Sequence, residues 1–112
     1  MLTGKFIGCA TTIFFVNTIS LEITYDPAKN PRNIEVRGLS FERVSECDFE
    51  GATFQLDDRR DYWETRQIAI GYLEMRLHVL CFVELPDGIR VISFRKANLR
   101  EGRKYGKTLT LD

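Results

Sequence analysis

The sequence predicts a single α+β domain in which two N-terminal helices and a short C-terminal helix pack on an antiparallel sheet. Three observations lead to this fold class. The 112 residues are enough for one hydrophobic core and too few for two domains. Residues 26–49 carry helix caps and stops. Residues 66–94 hold three apolar, β-branched runs joined by short turns. The predicted order is strand, helix, helix, three-strand meander, helix.

The first strand and the first helix are adjacent in the sequence. Residues 21–25 alternate apolar and polar side chains, as a half-buried strand does. Asp26 is a suitable N-cap for a helix that runs to residue 37 and stops at Gly38. Pro31 would clash with the preceding turn of that helix. Either the first turn is irregular, or Asn30 is the true cap and Pro31 the first helical residue.

The second helix is short, and Ser40 predicts its N-cap before residues 41–49. An acidic stretch rich in turn formers, residues 50–61, predicts a loop. The meander follows, with strands at residues 66–72, 77–85 and 89–94. Its short connections make the strands antiparallel neighbours.

The last helix is predicted by Asn98 and Glu101, whose spacing forms a capping box, and it runs to Tyr105. Residues 1–20 are mostly apolar and leave three interpretations open: a weak signal peptide, an extra strand at residues 12–16, or a tail from an upstream start. We favour the last two. The folded domain is then residues 21–107, between an N-terminal extension (1–20) and a C-terminal tail (108–112).

The net charge is zero, which argues against a generic, strongly basic nucleic-acid coat. The charge is unevenly distributed, however. Residues 90–107 hold seven Lys or Arg and one acid, whereas residues 42–64 hold eight acids and three bases. Three cysteines without a CxxC spacing and a single histidine predict neither disulfides nor a metal site, and they fit a reducing cytoplasm. No glycine-rich phosphate loop or other cofactor motif is present.

Arginines stand at both ends of the last predicted strand. A planar guanidinium on a rigid strand can hold an anion in a bidentate fork, although strand-end arginines also serve as solvated gatekeepers. Arg90 and Arg95 are an odd number of residues apart, which places them on opposite faces of a regular strand. Only Arg95 then shares a face with Ser93, unless the strand ends or bulges before it.

Several short motifs are spaced from residue 23 to residue 105. They are Tyr25-Asp26-Pro27-x-Lys29, Asn33, Gly38-Leu39-Ser40-Phe41-Glu42, Glu64-x-Arg66, Gly71, Arg90-Val91-Ile92-Ser93-x-Arg95-x-Ala97, Arg100-Glu101 and Tyr105. Taken in this order, they resemble the BrnT toxins of bacterial type II toxin-antitoxin systems. Two departures are Arg37 and Phe82, which stand where histidines are common in the family.

The resemblance implies a RelE-like fold and a metal-independent endoribonuclease that acts on RNA and inhibits translation. It also implies a ribbon-helix-helix antitoxin resembling BrnA, with operator DNA bound only through the toxin-antitoxin complex. No membrane association and no cofactor are implied. The family's basic positions map to Lys29, Arg66, Arg90 and Arg95, which become the candidate catalytic residues.

Metal-free cleavage of RNA uses the 2′-hydroxyl as nucleophile and benefits from a base and an acid. The only histidine, His78, lies in mid-strand on an apolar face, so we interpret it as structural. Lys29 or Glu64 is then the candidate that moves protons. The alternative for Glu64 is an ordinary surface ion pair with Arg66.

Two other functional classes remain open. One is a catalytically degenerate toxin that keeps only antitoxin binding, which the missing histidines favour. The other is a small nucleic-acid-binding domain, which the basic C-terminal end favours. Since both faces of the middle strand are apolar, we expect an antitoxin segment or a second copy of the chain to cover Leu80, Phe82 or Phe94.

Overall fold

The computed structural model describes residues 10–16, 19–58 and 64–111 and confirms the α+β class. Within these ranges, a six-stranded sheet runs in the order β1-β2-β6-β5-β4-β3. The strands are β1 (Ala10–Val16), β2 (Ile19–Tyr25), β3 (Thr53–Leu56), β4 (Gln67–Leu73), β5 (Arg76–Leu85) and β6 (Gly88–Lys96). The helices are α1 (Lys29–Arg37), a 3₁₀ helix (Phe41–Glu46) and α2 (Leu99–Lys104).

The strands β4, β5 and β6 form the antiparallel meander that the sequence predicts. The sheet as a whole is mixed, so the prediction of a purely antiparallel sheet is wrong. β2 pairs with β6 in parallel. After β2 the chain crosses to β3 at the far edge of the sheet, where it runs opposite to β2. The antiparallel pairings of β3 with β4, β4 with β5 and β5 with β6 then return the chain to the direction of β2. Gly88 permits this pairing, since a Cβ there would lie 1.9 Å from the carbonyl oxygen of Glu22.

The order of elements also differs from the predicted one. β1 pairs with β2 over seven residues, as the extra-strand interpretation has it. β3 lies inside the predicted loop, of which residues 59–61 fall outside the described part of the chain. The second helix is a 3₁₀ helix that ends before residue 49, because the Asp48 N–H donates to the Tyr72 carbonyl and joins the chain to β4. Its N-cap is Ser40, as predicted.

The first helix, α1, begins differently from both predictions. Its N-cap is Ala28 rather than Asp26 or Asn30, and the Asp26 carboxylate accepts the Ala28 N–H at 2.9 Å. Pro31 fits in the first turn, where a backbone N–H has no helical partner. Gly38 ends α1 at a φ of 64°, as predicted. Within the described ranges, no helix is long and apolar enough to span a membrane.

The main hydrophobic core lies on the sheet face covered by the 3₁₀ helix and its flanking residues, which we call the core face. Its buried residues are Ile23, Tyr25, Leu39, Phe41, Val44, Ala69, Leu73, Leu80, Phe82, Val91 and Phe94. Leu80, Phe82 and Phe94 are therefore covered within the chain, at 2%, 5% and 0% exposure. The expectation that a second copy or an antitoxin segment must cover them does not hold.

A bulge in β6 decides which of its side chains share a face. Cys81 and Phe82 of β5 stand opposite Ser93 and Val91, so Ile92 is an extra residue in β6. An extra residue reverses the alternation of side chains. Val91 and Phe94 consequently both reach the core face although they are three residues apart.

Candidate functional site

The bulge also brings the two strand arginines together on the face opposite the core. Arg90, Ser93 and Arg95 pair with alternate residues of the regular strand β5, namely Val83, Cys81 and Val79. Alternate residues of a strand share a face, so their partners do too. We call this surface the arginine face. The prediction that Arg90 points away from Arg95 is wrong, because the strand bulges between them.

Glu64 joins two arginines at one end of the arginine face. Its carboxylate accepts hydrogen bonds from Arg66 Nε at 3.4 Å and from Arg90 Nη2. The three side chains are 23–30% exposed, so this is a half-buried bridge rather than a fully solvated surface pair. The hydrogen bond from Arg90, helped by the charges of Arg90 and Arg66, holds the pKa of Glu64 below its ordinary 4.5 against the effect of burial. Glu64 is therefore ionised at neutral pH.

Arg95 occupies the other end of the arginine face and forms a bidentate pair with Glu101 of α2. Its Nη1 and Nη2 donate to the two Glu101 oxygens at 2.8 and 2.6 Å. Glu101 also accepts the backbone N–H of Asn98 at 2.9 Å, in the capping box that the sequence predicts. A carboxylate fixed by the helix cap thus orients the guanidinium, in the fork geometry that a phosphate would also use.

A cavity of about 260 Å³ opens beside Arg95. Its apolar floor comes from the smaller core on this face and includes Ile68, Ile70 and Val79. Two consecutive acids after β3, Asp57 and Asp58, line it as well. Asp57 is only 6% exposed, and one of its oxygens accepts the Cys81 thiol at 3.8 Å.

The Tyr105 ring and Lys104 of the α2 end also line this cavity. The lysine ammonium lies 5.3 Å from the centre of the Tyr105 ring. Such a contact holds a cation over an aromatic face. Lys104 and Tyr105 thus contribute a cation and an aromatic ring to the lining of the cavity.

Lys29, the fourth predicted catalytic residue, is separated from the other three. It is exposed on α1 and lines a second groove of about 290 Å³ with Arg32 and Arg37. This groove runs along the edge of β6 where α1 packs, and Asn33 of α1 donates to the Phe94 carbonyl there at 3.0 Å. Ser93 lines both openings, so the groove and the cavity adjoin each other at the bulged segment.

His78 lies on the core face, away from the arginines. It is 5% exposed, its Nδ1 is 2.8 Å from the Arg76 carbonyl oxygen, and its ring centre is 5.4 Å from that of Phe94. Burial lowers its pKa below the ordinary 6.5, so the ring is neutral at physiological pH. This environment supports the interpretation of His78 as a structural residue.

Two residues of the site were not singled out from the sequence as site residues. For Glu101 the sequence predicts a helix cap and a place in a family motif, but not its contact with Arg95. The signal is the capping box, because its carboxylate lies beside the end of β6, where Arg95 is. Asp57 falls in the stretch for which the sequence predicts a loop. The alternating Thr-Phe-Gln-Leu run before it was the signal for β3, and β3 carries Asp57 to the cavity.

A family model described as "Ribonuclease toxin, BrnT, of type II toxin-antitoxin system" matches residues 25–101. The chain belongs to the BrnT family. No curated protein and no solved structure matches it. The family is one of ribonuclease toxins, and a type II toxin has an antitoxin partner.

The BrnT match includes both ends of the arginine face. It begins at Tyr25, the last residue of β2, and ends at Glu101, the partner of Arg95. All four predicted basic positions fall inside it. The strand β1 and the Tyr105 side of the cavity fall outside it.

Proposed function

We propose that this chain is an endoribonuclease toxin that cleaves RNA without a metal ion and so inhibits translation in the cytoplasm. The observation that carries the proposal is the arginine face, where the bulge in β6 assembles Arg90 and Arg95 on one surface. Glu64 links Arg66 to the same surface. Sequence alone places Arg90 and Arg95 apart, so their assembly is independent support for the family's activity in this chain.

The proposed reaction is attack of an RNA 2′-oxygen on the adjacent phosphorus, with departure of the 5′-oxygen. The phosphorane that forms carries extra negative charge on its oxygens, and donors fixed before the reaction stabilise it. Arg95 is held in place by Glu101, and Arg90 by Glu64. An ionised Glu64 can accept the 2′-hydroxyl proton, but its lowered pKa makes it a weak base. We therefore expect slow chemistry assisted mainly by the arginines.

The α1 groove provides a place for the rest of the RNA strand. Lys29, Arg32 and Arg37 are exposed and line it, and it adjoins the arginine face at Ser93. Cations along such a groove bind the phosphate backbone without reading the sequence. In this proposal Lys29 binds RNA next to the reacting phosphate and is the candidate proton donor to the 5′-oxygen.

We further propose that the antitoxin is a ribbon-helix-helix protein similar to BrnA, and that operator DNA is bound only by the complex. The proposed toxin domain is residues 21–107, flanked by an N-terminal extension and a C-terminal tail, with a RelE-like fold. Deleting residues 1–20 is the direct test of the N-terminal bound, and the shortened chain should remain soluble and fold cooperatively. The matched family model, which begins at residue 25, supports this bound.

A catalytically degenerate interaction module is the second candidate function. It is favoured by the carboxylate partners of the site, since Arg66 and Arg90 are paired with Glu64 and Arg95 with Glu101. A neutralised cation attracts a phosphate less than an unpaired one does. The two candidates differ in whether RNA is cut.

The test is cleavage of a single-stranded RNA by the purified chain in the presence of a chelator. We expect Arg95→Ala to lower the rate by about 10²- to 10³-fold, because one fixed donor to the phosphorane is lost. Stability should fall by no more than about 1 kcal/mol, since Arg95 is a third exposed. Arg95→Lys should restore only part of the rate, because lysine lacks the bidentate fork.

Arg103→Ala is the matched control, since Arg103 is an exposed arginine of α2 outside the cavity. It should cut RNA at the wild-type rate. Absence of cleavage by the wild-type chain, together with tight binding to the antitoxin, would instead favour the degenerate module. Growth arrest on induction of the chain, relieved by co-expression of the neighbouring antitoxin gene, tests the toxin assignment in cells.

A further inference from the structure

We propose that the cavity beside Arg95 is a recognition site for one nucleobase of the RNA, and that this base is guanine. The inference rests on the proposed function, because it assumes that Arg95 holds a phosphate of the same strand. A base next to that phosphate would meet the cavity that Arg95 itself lines. The arginine face would then bind the phosphate, and the adjoining cavity would recognise the base next to it.

The size and floor of the cavity suit a single flat ring system. Its volume of about 260 Å³ is below the roughly 300–1,000 Å³ typical of sites for drug-sized ligands. Ile68, Ile70 and Val79 give it an apolar floor, and the Tyr105 ring forms part of its wall. Proteins recognise unpaired bases in this way, by covering the flat faces with apolar and aromatic groups and reading the edge with polar groups.

Two carboxylates supply acceptors that can read the edge of the base. The carboxylates of Asp57 and Asp58 line the same cavity, after the edge strand β3. Asp57 is held in position by burial, by its backbone hydrogen bond to the Arg66 carbonyl at 2.9 Å and by the Cys81 thiol. A carboxylate accepts two parallel N–H bonds when a ligand offers two adjacent donors.

Guanine is the base that offers such a pair. Its Watson–Crick edge places the N1–H and the N2 amino group side by side. Adenine and cytosine offer one amino group beside a ring-nitrogen acceptor, and uracil offers one N–H between two carbonyls. Each of these three would set an acceptor against a carboxylate oxygen, which is repulsive. Lys104 lines the same cavity, and its ammonium can donate to the guanine O6.

The test measures binding of the four nucleoside 3′-monophosphates to the full chain by NMR titration, which does not require cleavage. Guanosine 3′-monophosphate should bind about 10-fold more tightly than the uridine, adenosine and cytidine compounds. Inosine 3′-monophosphate, which lacks the N2 amino group, should lose most of that advantage. Asp57→Asn and Asp58→Asn should each bring the ratio of the uridine 3′-monophosphate Kd to the guanosine 3′-monophosphate Kd close to one.

Asp58 is exposed, so Asp58→Asn remains informative even if Asp57→Asn fails to fold. Asp87→Asn, in the exposed turn between β5 and β6, is the matched control and should leave the preference intact. Equal binding of the four nucleotides, no saturable binding, or an unchanged preference in a folded Asp58→Asn variant would overturn the inference. Selective guanosine binding without RNA cleavage would overturn the proposed function and leave this inference standing. Cleavage with equal nucleotide binding would do the reverse.

Discussion

The two faces of β6 differ in composition although the same nine residues supply both. The core face takes Val91 and Phe94, which are 1% and 0% exposed. The arginine face takes Arg90 and Arg95, whose side chains are 30% and 33% exposed. The extra residue in β6 brings Val91 and Phe94 to one face and Arg90 and Arg95 to the other. The residues that stabilise the fold and the candidate catalytic residues therefore lie on opposite sides of one strand. Substitutions on one face should therefore leave the property of the other largely unchanged.

The ionisable groups on the two faces respond to different surroundings. On the core face, burial lowers the pKa of His78 and keeps the ring neutral. On the arginine face, the guanidinium groups lower the pKa of Glu64 and keep the carboxylate charged. The core face thus removes charge from the apolar interior, while the arginine face keeps a half-buried carboxylate charged.

Phe94→Ala should have the largest effect, because Phe94 is fully buried on the core face. Truncating a buried phenylalanine in a core costs about 3–5 kcal/mol, a large part of the roughly 5–15 kcal/mol that stabilises a typical domain. We expect the variant to be insoluble or to unfold at much lower urea concentration than the wild type.

Ile92→Ala is the control, since it also shortens an apolar side chain of β6 but at a position that is only partly buried. It should retain a cooperative unfolding transition close to that of the wild type. A Phe94→Ala variant as stable as Ile92→Ala would mean that the core face does not carry the stability of β6.

Arg90→Ala should come next, with a loss of RNA cleavage of roughly 10²-fold at nearly wild-type stability. A regular strand would place Arg90 on the face opposite Arg95, whereas the bulge places both arginines on the same face. Its effect should be no larger than that of Arg95→Ala, because Arg66 remains beside Glu64. Wild-type cleavage by Arg90→Ala, measured with matched amounts of folded protein, would limit the active part of the face to its Arg95 end.

The sequence predicts the local structure better than it predicts the site. Caps at Ser40 and Asn98 and the stop at Gly38 depend only on neighbouring residues, and all three are present. The bulge has a weaker signal: the apolar residues of β6 on the core face are spaced two and then three apart, which breaks strict alternation. No glycine or proline marks it.

The parallel pairing of β2 with β6 is a long-range contact between segments 65 residues apart, and a one-sequence pattern does not encode such partners. The same holds for the bridge from Glu64 to Arg90, which spans 26 residues. The neighbours of Arg90 in space therefore become known only from the fold. Lys29 was placed with the arginines by family resemblance, and the fold sets it in the adjoining groove.

Glu64→Gln should have the smallest effect, and it tests whether the arginine face also contributes to stability. The pKa of Glu64 is lower in the folded chain than its ordinary 4.5, so its contribution is present above about pH 4.5 and is lost as the pH falls through the folded value. At neutral pH the substitution should lower the free energy of unfolding by about 1 kcal/mol, as expected for an ion pair that is still partly solvated. The difference between wild type and variant, measured by urea unfolding from pH 7 to pH 3, should therefore shrink below about pH 4.5. Glu50→Gln, at an exposed acid in the loop before β3, is the matched control and should leave the free energy of unfolding at pH 7 close to the wild-type value. A difference that stays constant down to pH 3 would mean that the charge of Glu64 does not stabilise the fold, and that the bridge to Arg66 and Arg90 serves only to position the arginines.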